Sequence, residues 1–101
     1  MRISKHETNE LIYKLEERKY GTRLNSMELA QRAGVPLDDV NRVERQLPIE
    51  NERSVLRIAK ALGVTPDALR KMAGQEEMSE EELRQLYLCA EQPMPEPCPG
   101  P

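Results

Sequence analysis

The stretch from residue 25 to 45, NSMELAQRAGVPLDDVNRVER, constrains the fold more than any other part of the chain. Its apolar residues recur at helical spacing on both sides of Gly34. Glycine ends a helix readily because it adopts positive φ without steric cost, and proline is favoured at the first position of a helix. The stretch therefore predicts a helix that ends near Ala33 and a second that runs from Pro36 to about Arg45, joined by a tight turn.

The same signals divide the rest of the chain into further short helices. Five residues whose side chains favour helix N-termini each precede a set of apolar residues at helical spacing. They are Ser4, Asn25, Asn51, Thr65 and Ser79. No segment shows the alternation of a strand. Because Phe and Trp are absent, the core must be aliphatic. The sequence predicts an all-α domain of five helices in residues 1–74, followed by a sixth helix.

The C-terminal part is expected to differ from the body of the domain. Residues 75–92 form a charged linker and an amphipathic helix, whose stripe consists of Leu83, Leu86, Tyr87 and Ala90. The stripe either contacts a second copy of the chain or packs back onto its own domain near the fifth helix. Residues 93–101, PMPEPCPGP, hold too little apolar surface to order themselves, so we expect a disordered tail.

Charge is distributed unevenly along the chain. The net charge is −3, but residues 1–74 carry 14 Lys and Arg against 11 Asp and Glu. Residues 75–101 carry one Arg against seven Glu. A mildly basic body with an acidic C-terminal part is compatible with binding to nucleic acid, although it is not the strongly basic domain that charge alone would identify as DNA-binding.

Several functional classes are disfavoured by the residue inventory. His6 is the single histidine and is expected on an exposed first turn, so no Ser/His/Asp or Cys/His set can form. Cys89 and Cys98 form no Cys-x-x-Cys pair, which makes a metal site improbable. The glycines are isolated, so no loop cradles phosphate. We therefore expect neither an enzyme nor a cofactor.

The sequence also predicts where the chain resides. No apolar run approaches the length that spans a bilayer, so no membrane partner is expected. The first ten residues, MRISKHETNE, lack the apolar segment of a signal peptide. These features favour a cytoplasmic, reducing compartment, in which the two cysteines are expected as thiols.

Three segments resemble the lambda-repressor-like (XRE-type) helix-turn-helix DNA-binding family. MELAQRAGV is similar to the family's eeLAeklGV segment, VNRVER to IsriErG, and LRIAKALGVTPDAL to lkiAkaLgvsldeL. The resemblance covers Leu11 to Leu69, with the segments in the right order and spacing. It implies a five-helix domain whose second and third helices form a helix-turn-helix, the third entering the major groove of DNA.

The resemblance also implies which residues contact DNA: Ser26, Leu37, Asp38, Asn41, Arg42 and Arg45. Ser26 stands at the family's phosphate-contact position. Arg42 is the expected base reader, because a guanidinium matches O6 and N7 of guanine. Asn41 suits adenine, Leu37 the thymine methyl and Asp38 the amino group of cytosine. Arg45 lies beside the loop that usually contacts phosphate.

The chain departs from the family pattern in and beside the recognition helix. Asp38 and Asp39 stand where small polar or amide residues are usual, and their charge opposes approaching phosphates. The loop at residues 47–50 lacks the usual basic residues. Gln46 replaces the family's glycine, so the turn after Glu44 is expected to differ.

Glu44 resembles the family's buried acidic residue, which pairs with a basic residue of the first helix. The expected partner is Arg18 or Lys19.

Two functions remain open at this point. One is a sequence-specific transcriptional regulator that binds double-stranded DNA as a homodimer. The other is a helix-turn-helix fold used to bind a protein partner through the acidic turn and the apolar residues 47–49, with weak or no DNA binding.

Overall fold

Six α-helices make up most of residues 1–91, the part of the chain that the computed structural model describes. They are α1 (Lys5–Tyr20), α2 (Ser26–Ala33), α3 (Leu37–Glu44), α4 (Glu52–Leu62), α5 (Pro66–Met72) and α6 (Glu80–Glu91). No strand occurs within these residues, so the predicted all-α class is confirmed. The predicted tail at residues 93–101 lies outside the described residues.

Side-chain caps determine where most of the helices begin, as the sequence predicts. Reciprocal capping boxes join Ser4 to Glu7, Asn25 to Glu28 and Ser79 to Glu82. Single side-chain caps are formed by Asn51 and Thr65. Each cap supplies an acceptor for a backbone N–H that the helix itself leaves without a partner. The helix α3 starts one residue later than predicted, because Pro36 is its N-cap residue and not its first helical residue.

The apolar core is aliphatic, and most of its largest members come from α1, α2, α4 and α5. Completely buried side chains include Leu11, Leu15, Leu29, Ile58, Leu62 and Leu69. Two apolar residues of these helices lie outside the core. Met27 is 58% exposed, because Leu29 and Ala30 occupy the inner side of α2. Leu56 is 54% exposed, because it lies one residue beyond the buried Val55 and so falls outside the stripe that faces the core.

The helix α6 packs against α1 of the same chain. Its Leu86, Cys89 and Ala90 are buried, whereas Leu88 on the opposite side is 48% exposed. An ion pair between Lys71 of α5 and Glu82 of α6 also ties α6 to the domain. Of the two alternatives for this helix, the structure therefore shows the second: the stripe packs within its own chain, chiefly on α1.

The N-terminal residues hold the segment that leads into α6. The backbone N–H of Met78 donates to the carbonyl of Met1 (2.6 Å), and the α-amino group of Met1 donates to the carbonyl of Met78 (3.0 Å). The side chains of Met78 and Ile3 are buried in the same core. Residues before α1 thus contribute to the placement of α6.

Cys89 differs from the sequence expectation. It is disulfide-bonded, whereas a thiol was predicted from the presumed compartment. The guanidinium Nη1 of Arg18 donates to the carbonyl oxygen of Cys89 (2.6 Å) and lies 2.8 Å from its Sγ. Arg18 therefore joins α1 to the end of α6.

Candidate nucleic-acid interface

One side of α3 is turned outward and carries most of the predicted contact residues. Its opposite side is anchored by Val40 and Val43, which are buried. The outward positions i, i+1, i+4, i+5 and i+8 share one side of a helix. They hold Leu37, Asp38, Asn41, Arg42 and Arg45, all exposed or half-buried. The structure therefore brings five of the six predicted residues together on one surface.

The sixth predicted residue, Ser26, contacts the end of α3. Its hydroxyl donates to Oε1 of Glu44 (2.6 Å), which joins the first turn of α2 to the last turn of α3. The amide of Asn9 donates to the carbonyl oxygen of Glu44 (3.1 Å) and adds α1 to the same junction. In this arrangement Ser26 joins two helices, and its one O–H donor is engaged by Glu44 rather than by a phosphate, as the resemblance would imply.

The predicted ion pair between Glu44 and the first helix is wrong. Arg18 is directed to Cys89, and the ammonium of Lys19 donates to the carbonyl of Lys60 (2.6 Å). No ion pair to Glu44 occurs among the described residues. Both cations lie at the C-terminal end of α1 and contact α6 and α4, whereas Glu44 contacts α2 through Ser26.

Within residues 1–91, the acidic residue that is fully buried is Glu16 of α1, which the sequence analysis did not identify. Its side chain is 1% exposed, and Oε1 accepts from the backbone N–H of Leu24 (3.3 Å). Burial raises the pKa of the Glu16 carboxyl to about 7, with a smaller contribution from repulsion by Glu44 and Glu28. The spacing of four residues from Ile12 was the available signal, since it places Glu16 on the core stripe of α1.

Arg42, the expected base reader, is held by two partners within the chain. Its Nε donates to Oδ2 of Asp38 (2.9 Å), and its Nη1 donates to the carbonyl oxygen of Pro48 (3.0 Å). The hydrogen bond to Asp38 raises the pKa of the Arg42 guanidinium above its ordinary value. The side chain therefore lies along the outer side of α3, between its first turn and the following loop.

The two adjacent aspartates have different partners. Asp38 is largely exposed and pairs with Arg42. Asp39 accepts from the hydroxyl of Ser54 in the first turn of α4. Both carboxylates thus have partners within the chain, and Asp39 links α3 to α4. These partners reduce the electrostatic repulsion between the two carboxylates and DNA phosphates but do not abolish it.

The turn after α3 takes a left-handed conformation without a glycine. Gln46 has φ 59°, and among the described residues no other non-glycine residue has positive φ. Its Nε2 donates to the carbonyl of Ile3 (2.7 Å) and to Oγ1 of Thr8 (3.1 Å). The N–H of Leu47 then donates to the carbonyl of Arg42 (2.8 Å), which ends the helix as a glycine normally would.

The loop between α3 and α4 carries both charge and apolar surface. Arg45 and Arg53 are exposed at its ends, and Glu50 is exposed within it. Leu47 is 45% exposed, and Ile49 is half-buried against the core. The loop therefore resembles neither a strongly basic phosphate clamp nor a purely apolar contact.

Residues 1–91 contain neither a membrane-spanning helix nor a metal-binding cluster. No helix there combines the length and the apolar character needed to cross a membrane. No group of three or more His, Cys, Asp and Glu side chains is arranged to hold a metal ion in the same residues.

Comparison with known proteins gives no match. No protein-family model matches this chain, and neither curated proteins nor solved structures give a significant match.

Proposed function

We propose that this chain is a sequence-specific DNA-binding transcriptional regulator of the lambda-repressor-like helix-turn-helix type. In this proposal α2 and α3 form the helix-turn-helix, and α3 enters the major groove. The observation that carries it is the outward side of α3, on which Leu37, Asn41 and Arg42 lie opposite the buried Val40 and Val43. A short helix anchored on one side and polar on the other suits insertion into a groove.

The contacts of α2 support the same assignment. The helices α2 and α3 pack on each other and are joined through Gly34, which has φ 71°. Ser26 lies at the N-terminus of α2, where backbone N–H groups and the helix dipole favour a phosphate. Its hydrogen bond to Glu44 joins the first turn of α2 to the last turn of α3.

Arg42 retains the hydrogen-bonding capacity that base reading requires. A guanidinium has five N–H donors, and Asp38 and the carbonyl of Pro48 each occupy one of them. A bidentate contact to guanine needs two donors. Arg42 can therefore read a base without leaving Asp38, which would then act as a brace for the guanidinium.

A homodimer is part of the proposal, because one recognition helix supplies few base contacts and a dimer reads two half-sites one helical turn apart. The stripe of α6 is occupied by α1, so the dimer would use another surface, such as the exposed side of α6 at Leu88.

Selection from a random-sequence DNA pool tests the function. The full chain would be incubated with the pool at low and at moderate salt, and the retained DNA sequenced. We expect an enriched inverted repeat with wild type and none with Arg42→Ala. Arg84→Ala is the matched control, since Arg84 is an exposed arginine that also pairs with an acidic residue on its own helix, Glu81. No enrichment with wild type would contradict the proposal.

The second candidate function is a protein-binding module. It is favoured by the exposed Leu37 and Leu47 next to the acidic Asp38 and Glu50. Salt separates the two functions, because phosphate-mediated binding weakens steeply as salt rises and an apolar interface does not.

A further inference from the structure

A cleft outside the proposed DNA interface is lined by cationic side chains and by none of the described carboxylates. It has a volume of about 340 Å³ and lies where the C-terminal parts of α1, α2 and α4 meet. Besides two alanines, its lining consists of Tyr20 and four cations: Lys19, Arg32, Arg57 and Lys60. None of the residues predicted to contact DNA lines it.

The walls of the cleft are fixed by contacts to helix ends. Arg57 donates from Nη1 to the carbonyl of Gly34 (3.0 Å), and Lys19 donates to the carbonyl of Lys60 (2.6 Å). The hydroxyl of Tyr20 donates to the carbonyl of Ala61 (2.6 Å). These contacts satisfy carbonyl groups near the C-termini of α2 and α4, where a positive charge is favourable.

The positive charge exceeds what the helix ends neutralise. A helix C-terminus is equivalent to roughly half a negative charge, so three of them offset fewer than two of the four cations. None of the four makes an ion pair with a described carboxylate. The crowding is visible in Lys19, whose pKa is lowered by burial and then by repulsion from Lys60 and Arg18. An anion would relieve this repulsion.

The arrangement of Arg32 suits phosphate. Its guanidinium lies over the ring of Tyr20, 4.6 Å from the centroid, which leaves the N–H edges of the planar group available. Planar guanidinium groups bind phosphate oxygens through paired N–H donors, and Lys60 adds an ammonium at the same cleft. The volume is that of a small-molecule site.

From this geometry we propose that the cleft binds a small anion carrying more than one phosphate group. Arg32 and Lys60 contact the phosphates, while Arg57 and Lys19 add positive charge from positions fixed by helix carbonyls. The site is independent of the proposed DNA binding, because the two share no residue.

Calorimetric titration of the full chain with inorganic tripolyphosphate at low ionic strength tests the site. The test variant is Arg32→Gln with Lys60→Gln, two exposed residues outside the core, and circular dichroism verifies that it folds. We expect saturable binding to wild type and a dissociation constant at least about tenfold higher in the variant, since charge-assisted hydrogen bonds are lost. Lys60→Gln alone, which leaves the stack of Arg32 on Tyr20, should give a smaller loss.

The matched control is Arg2→Gln with Lys5→Gln, which removes the same charge from exposed positions at the start of the chain. It should bind tripolyphosphate as wild type does. Absence of saturable binding to wild type would overturn the proposal, as would equal losses in both double variants, which would indicate general attraction of anions. If the cleft variant lost affinity for duplex DNA but not for tripolyphosphate, the cleft would be a nucleic-acid surface and the small-anion proposal would be wrong.

Discussion

Arg42 donates from Nε to the Oδ2 atom of Asp38, 2.9 Å away and one turn earlier on α3. Both side chains are accessible to solvent, so the pair contributes little to stability. The pair instead orients the Arg42 side chain, because Asp38 and the carbonyl of Pro48 together hold the guanidinium on the outer side of α3. Asp38, whose charge opposes an approaching phosphate, is thus the partner of Arg42, the residue expected to read the bases.

Arg42→Ala should abolish the preference for the selected DNA site without unfolding the chain. A good bidentate base contact discriminates by about 1–3 kcal/mol, whereas an exposed substitution changes the unfolding free energy by about 0.5 kcal/mol or less. Fluorescence anisotropy with the selected and a scrambled duplex measures the first quantity, and urea unfolding measures the second. Unchanged discrimination would remove Arg42 from the reading residues.

Asp38→Asn and Asp39→Asn should have different effects, although they remove the same charge from adjacent positions. Asp38→Asn removes an exposed negative charge that opposes phosphate and weakens the brace on Arg42, so we expect tighter binding to random DNA and poorer discrimination. Asp39→Asn weakens the hydrogen bond with Ser54 and should lower the unfolding free energy by about 1 kcal/mol. The two variants serve as controls for each other in anisotropy and in urea unfolding, and identical behaviour would contradict the assignment of separate roles.

Glu16→Gln should remove a pH dependence of stability. The pKa of Glu16 is about 7 in the folded chain against 4.5 as the ordinary value, so between these values the unfolded chain has lost a proton that the folded chain keeps. Stability therefore falls as pH rises from about 4.5 to 7 and levels off above 7. Since one pKa unit corresponds to about 1.4 kcal/mol and the two pKa values differ by about 2.5, the loss is on the order of 3–4 kcal/mol.

The comparison of wild type with Glu16→Gln at pH 5 and pH 8 isolates this carboxyl from the others. Glu17→Gln is the matched control, because Glu17 is exposed on the same helix. We expect Glu16→Gln to be more stable than wild type at pH 8 and the difference to shrink at pH 5. A difference that did not change with pH would contradict the assignment.

Leu86→Ala should destabilise the chain, and Leu88→Ala should not. Leu86 is buried between α6 and α1, so its truncation should lower the unfolding free energy by about 2–4 kcal/mol. Leu88 on the exposed side of the same helix is the control. Sedimentation of both variants adds a second measurement: a lower mass for Leu88→Ala would show that this side joins two copies. Unchanged stability of Leu86→Ala would contradict the packing of α6 on α1.

Gln46→Ala should lower the unfolding free energy by about 1–2 kcal/mol, because it removes two side-chain hydrogen bonds. Gln46→Gly loses the same two hydrogen bonds but relieves the strain of positive φ at a residue with a Cβ. It should therefore lower the unfolding free energy by less than Gln46→Ala does. Gln85→Ala, at an exposed helical glutamine, is the control in urea unfolding. Equal stability of Gln46→Ala and wild type would show that the contacts to Ile3 and Thr8 contribute nothing.

The sequence by itself determined the helices and the outward side of α3. Caps such as Asn25 and Thr65 and the spacing of Val40 and Val43 act over one helical turn, so they can be read without knowing the fold. Five of the six predicted contact residues share a surface for this reason: they belong to one helix and the residue after it.

The tertiary structure decided which groups meet across helices. It directs Ser26 to Glu44, Arg18 to Cys89 and α6 to α1, and it collects the cations of the cleft from three separate helices. The contacts of Gln46 to Ile3 and Thr8 near the N-terminus belong to the same class. The physical reason is that these partners are far apart in the chain, and their distances depend on how the aliphatic core packs the helices together.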